Sequence, residues 1–165
     1  MKKREAFTLV ELLIVIVIIG ILASSMMLSS TSATASAEVA SIISELRNMK
    51  AATMMFYADS TDSVNDGTAS AILASGGQDA LNLLKRYMDN PEKLTGNYRF
   101  VQREIAGAGK KWFVGFVVSG NTTDVKERLQ GKAASTGLLG STATNAPADL
   151  SAYEKSHNAV WMVAR

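Results

Sequence analysis

Apolar and polar positions divide this chain into a first part with almost no periodicity and a remainder in which the period changes several times. From Leu12 to Ala23 there is no charged side chain and scarcely a polar atom. A helix from Phe7 to Leu28 would be about 33 Å long, enough to cross the core of a bilayer. Ser29 to Ala37 is all Ser, Thr and Ala, which suits either a linker or a helix with a small-residue surface. The helix is preferred, because no Gly or Pro interrupts it and Val39, Ile42, Ile43, Leu46, Met49, Thr53 and Phe56 follow at helical spacing. One helix over about 7–57 is predicted, apolar nearly all round in its first half and amphipathic in its second. Glu38, Glu45, Arg47 and Asn48 are expected mostly on its other faces.

Asp59 to Gly67 has the Asp, Asn and Gly content of a surface turn. Its oxygen ligands lack EF-hand spacing, since Val64 and Leu73 hold positions that should carry ligands. A short apolar piece at Ala71–Ala74 precedes a helical pattern over Gln78–Met88, which ends before Asn90-Pro91. Asn97–Ile105 and Lys111–Ser119 are rich in aromatic and β-branched residues and flank Gly107-Ala108-Gly109, so they predict an antiparallel hairpin. Asp124 and Glu127 have capping-box spacing ahead of a helix over Val125–Ala134. Thr136–Ala148 reads as an exposed loop and Asn158–Ala164 as a strand returning to the sheet. The fold class is α+β, with a long N-terminal helix packed on a small head.

Composition removes most chemistry. The chain has 165 residues, no cysteine and one histidine, which excludes disulfides, thiolate zinc sites and cysteine nucleophiles. His157, between Ser156 and Asn158, suits a hydrogen-bonded structural role better than that of a general base. No zincin motif or nucleophile elbow occurs, so neither a catalytic nor a metal residue is assigned, no enzyme activity is expected and no cofactor is implied. Net charge is only +2, too small for electrostatic binding of nucleic acid. Lys110, Lys111, Trp112 and Phe113 place cations beside aromatics, but adjacent strand residues face opposite ways, so buried rings and solvated lysines are expected. The glycines before Lys110 complete neither a P-loop nor a dinucleotide fingerprint.

Charge matters at the start. Lys2, Lys3 and Arg4 precede the apolar run, so the positive-inside bias keeps them cytoplasmic and sends the remainder outward. Glu11 is the exception within that run, a carboxylate placed where ionisation is costly unless a cation or water meets it. A secretory signal cut after Ala35-Ser36-Ala37, ahead of Glu38, is an alternative reading of the same pattern, although the apolar run ends well before that site.

The stretch Arg4-Glu5-Ala6-Phe7-Thr8-Leu9-Val10-Glu11-Leu12-Leu13-Ile14-Val15, continuing to Ala23 with Gly20 inside it, resembles the class III prepilin signal of type IV pilins and type II secretion pseudopilins. The resemblance covers about the first 23 residues. It implies a leader of residues 1–6, cleavage between Ala6 and Phe7 by prepilin peptidase, and N-methylation of Phe7. It implies a filament-core helix over 7–28, an amphipathic continuation over 29–57 and a head over 58–165. Like subunits would form a homopolymer, built by an inner-membrane assembly platform and an assembly ATPase. Glu11 would meet the terminal amine of a neighbouring subunit, and Gly20 would be a point of local helix weakness. The precursor would lie in the inner membrane, and the filament would extend from it. The resemblance departs from the family in two places. Ala6 stands where glycine is usual, and no proline lies near Leu28, an absence shared with several minor pilins and pseudopilins. A membrane-anchored or secreted binding domain is the reading from a different class.

Overall fold

The structure, a computed structural model, describes residues 7–60, 68–94, 96–144 and 146–165. Helix α1 spans Leu9–Asp59, 51 residues in one element, or about 76 Å. The Ser/Thr/Ala stretch is part of it, because small residues without Gly or Pro leave the backbone ladder intact. Its far half buries Val39, Ile42, Ile43, Leu46, Met49, Thr53 and Phe56, the stripe that the spacing predicted, and Ala52 beside them.

That stripe packs on one face of a four-stranded antiparallel sheet. Strands β1 (Tyr98–Ile105) and β2 (Gly109–Val117) form the hairpin, and β3 (Leu139–Ser141) and β4 (Ala159–Val163) complete the order β1-β2-β4-β3. The hairpin turns where Gly107 and Gly109 take φ of 75° and 71°, values that side chains rarely adopt. Alternation along the strands then sorts the core into two layers. Phe100, Trp112, Val114, Phe116, Val160 and Met162 face α1, whereas Val101, Phe113, Ala159 and Trp161 form a smaller cluster on the other face with Ala146. Trp112 lies at the centre of an aromatic group, with ring centroids 5.9 Å from Phe56, 5.7 Å from Tyr57 and 5.8 Å from Phe100.

Shorter helices close the head. α2 (Thr68–Ser75) and α3 (Gln78–Lys85) pack along β1, and α4 (Thr123–Thr136) packs along α1 through Val125, Leu129 and Ala133. The Arg128 guanidinium donates to the hydroxyls of Ser36 at 2.8 Å and Ser32 at 2.7 Å. The small-residue surface of α1 thereby receives α4.

Four expectations need correction. α4 begins after Thr122, and no side chain caps its N-terminus, so Asp124 and Glu127 form no capping box. Helix α3 stops at Lys85, and Met88 packs on the core from beyond its end. The stretch expected to be an exposed loop holds strand β3 and buried Leu138 and Ala146. Gly137, at φ 68°, ends α4 in the left-handed region and turns Leu138 inward. Glu45, expected off the packed face, is 6% exposed and accepts a hydrogen bond from Lys93 Nζ at 3.1 Å. Most of the Asp59–Gly67 turn lies outside the described residues, though Asp59 itself is the last residue of α1.

Candidate assembly site

The functional candidates of the sequence gather at the start of α1. Thr8 has extended backbone angles, φ −79° and ψ 149°, and caps the helix. Its hydroxyl accepts from the Glu11 backbone N–H at 3.2 Å, while one Glu11 carboxylate oxygen accepts from the Thr8 N–H at 2.9 Å and from its hydroxyl at 2.7 Å. This is a reciprocal capping box, which satisfies donors that a helix start otherwise leaves unpaired. The spacing Thr8-x-x-Glu11 carried that signal in the sequence, but the apolar context drew attention to the charge of Glu11 and away from its local partner.

Phe7 immediately precedes the cap and is 79% exposed. Ala6, the other side of the expected cut, lies outside the described residues. The structure therefore brings Phe7 and Glu11 to the same end of the helix, one turn apart. Gly20 lies farther along, and α1 runs through it without a break. A Cβ built there would meet nothing within 4 Å. Ser24 donates to the Gly20 carbonyl at 2.9 Å and Ser25 to the Leu22 carbonyl at 2.8 Å, so their hydroxyls bond back onto the helix itself.

Around this terminus the surface is apolar on every side. Leu9, Leu12, Leu13, Ile14, Ile16, Ile18, Ile19, Ile21 and Leu22 are all more than half exposed. Among the described residues no part of the head packs on them, and α1 is long and apolar enough over this stretch to cross a membrane. A surface of this kind needs lipid or other protein to cover it.

His157 Nδ1 accepts the Glu154 N–H at 2.9 Å, which fixes a turn against Gly140, where a Cβ would fall 1.9 Å from that nitrogen. Among the described residues no group of three or more His, Cys, Asp or Glu is placed to hold a metal. Trp112 and Phe113 are buried on opposite sheet faces, so neither ring is free to stack on a base.

Residues 1–27 match the family model described as the prokaryotic N-terminal methylation motif. The chain thus carries the class III prepilin signal of type IV pilins and pseudopilins. No curated protein and no solved structure matches the chain.

Proposed function

We propose that the chain is a structural subunit of a type IV pilus-like filament, stored in the inner membrane by α1 and transferred from there into a core of like helices. The observation that carries the proposal is the exposed apolar run of α1 from Leu12 to Ala23, with the methylation motif at its start. Residues 1–6 act as the leader, 7–28 as the core helix, 29–57 as its continuation and 58–165 as the outward head. Prepilin peptidase cuts between Ala6 and Phe7, and Phe7 becomes the N-methylated terminus.

Cleavage creates a cation beside a carboxylate. The Phe7 amine of one subunit meets Glu11 of a neighbour, and because either charge alone in the apolar core is costly, the pairing selects the axial stagger. Head-to-tail contacts that do not close give an open helical polymer. Lipid contacts are exchanged for helix packing, the assembly ATPase and inner-membrane platform supply the work, and Gly20 lets the helix yield locally.

An unbroken α1 without a proline near Leu28 supports a second reading, a pseudopilin or minor pilin, in which few subunits or short filaments form. Mass spectrometry of the membrane-extracted protein tests the common premise, with N-methylated Phe7 expected as the first residue and an uncut Met1 or a Glu38 terminus overturning it. Negative-stain microscopy of sheared cells separates the two readings by filament length. Glu11→Leu should still insert into the membrane but fail to give filaments, and normal filaments from it would overturn the charge pairing.

A further inference from the structure

Along its far half α1 keeps one face clear of the head, and two grooves of opposite charge flank that face. The first, of about 190 Å³, lies between α1 and the segment that follows α3, and Glu45, Asn48, Met55, Asp89 and Asn90 are among its lining residues. The second, of about 330 Å³, lies between α1 and α4, and Ser44, Arg47, Asn48, Lys132 and Thr136 are among its lining residues. Asn48 borders both, so the grooves open on the same side of α1.

In the first groove Lys93 answers Glu45, which leaves the exposed Asp89 as the unpaired charge. In the second, Arg47 and Lys132 are exposed and no described lining residue is a carboxylate. Neither Asp89, Arg47 nor Lys132 has a salt-bridge partner among the described residues. At the far end of the same face Met54 and Met55 are 46% and 55% exposed, apolar surface that a second protein surface would cover.

The placement of these charges decides how a second copy can approach. Two copies set face to face with α1 parallel put each basic groove against the other's acidic groove, whereas an antiparallel pair puts like grooves together. α1 borders the acidic groove over residues 45–55 and the basic one over 40–48, so their midpoints lie about 9 Å apart along the helix. When one copy shifts by that distance, one acidic-to-basic contact closes and its mirror image cannot, so the pair keeps one free groove of each sign. Such a contact is heterologous and propagates.

We propose that this face of the head is a docking surface for a second copy of the chain, in which Arg47 and Lys132 of one subunit meet Asp89 of the next. The proposal rests on the filament reading above and adds to it the lateral contact between heads. The two offsets run the same way: a subunit raised so that its Phe7 reaches a neighbour's Glu11 also brings its basic groove up towards that neighbour's acidic one. Exposed charge pairs add little affinity and act mainly on orientation and register, while the apolar first half of α1 holds the copies together.

The chain contains no cysteine, so engineered thiols report the contact directly. Thr136→Cys and Asn90→Cys place one thiol in each groove and leave Arg47, Lys132 and Asp89 in place. In cells expressing the full-length double variant, mild oxidation should give a ladder of disulfide-linked dimers, trimers and longer species, whereas either single variant should stay monomeric. Adding Asp89→Lys should lower the yield of linked species about fivefold or more, and reversing the other side as well, with Arg47→Glu and Lys132→Glu, should restore it. Mass spectrometry of the same material reads the N-terminus. Methylated Phe7 without a ladder, a ladder unmoved by Asp89→Lys, or dimers from a single variant would each overturn this contact and leave the filament reading standing. A chain that still begins at Met1 would overturn the reading and the contact with it.

Discussion

Thr8 and Glu11 hold one another at the first turn of α1, with the threonine N–H and hydroxyl converging on a single carboxylate oxygen at 2.9 and 2.7 Å. Within one chain, then, the acidic group already has a local partner. The other carboxylate oxygen has no hydrogen-bond partner among the described residues.

Thr8→Val should remove the reciprocal cap and leave the apolar surface unchanged. Loss of an N-cap side chain costs a helix end about a factor of five in stability. Hydrogen exchange of the full chain in micelles should show faster exchange at the Glu11 amide, with the amides of Val39 to Phe56 unaffected. Unchanged exchange at Glu11 would mean that the cap contributes nothing there.

The pair Glu45–Lys93 should be worth more to the head than a surface ion pair. The Glu45 side chain is 8% exposed, but that of Lys93 is 54% exposed, so water screens part of the interaction. Lys93→Met leaves a buried carboxylate with its cation gone and should destabilise by about 1–2 kcal/mol. Adding Glu45→Gln should restore part of that loss. Urea unfolding of both variants measures the difference, and no recovery in the double variant would show that the lysine acts through packing of its stem.

Gly115→Ala should be far more costly than its size suggests. The new methyl would fall on the Trp161 ring, fully buried against the sheet, and overpacking of this kind costs about 1–3 kcal/mol. Pairing it with Trp161→Leu should recover stability, because the smaller side chain vacates the space over β2. Thermal unfolding by circular dichroism would register both changes. A Gly115→Ala chain as stable as the parent would show that the ring moves aside freely.

How much of this was legible beforehand depended on whether a pattern was local. The unbroken apolar run, the stripe from Val39 to Phe56 and the aromatic hairpin around Gly107 are periodicities, and α1, β1 and β2 follow them closely. Strand β3 was not legible. Leu139 to Ser141 are embedded in Gly, Ala, Ser and Thr, and they become strand only because β4 offers an edge, Leu139 opposite Trp161 and Gly140 opposite Val160. Glu45 was missed for a similar reason, since its partner Lys93 lies 48 residues away and arrives only through the turn at Pro91–Lys93. At the candidate assembly site, Glu11 stood out by its charge alone. The two grooves beside α1 are products of its packing against distant segments, which no single segment encodes.

Alkaline pH should weaken the head through two tyrosines. Burial, aided by the nearby Glu45 carboxylate, pushes the Tyr98 phenol up to about 12, and burial alone pushes Tyr153 up to about 12. An unfolded tyrosine ionises near 10. Between these values the unfolded chain has released protons that the folded chain retains, so stability is fully present below about pH 10 and falls as pH rises towards about 12. Tyr98→Phe and Tyr153→Phe should each flatten that decline, measured by urea unfolding at a series of alkaline pH values. The Tyr153 hydroxyl has no hydrogen-bond partner among the described residues, so its replacement should also leave stability at neutral pH unchanged or higher by up to about 1 kcal/mol. If the decline has the same slope in both variants, the loss belongs to other groups and the two buried phenols ionise in the native state as readily as in the unfolded one.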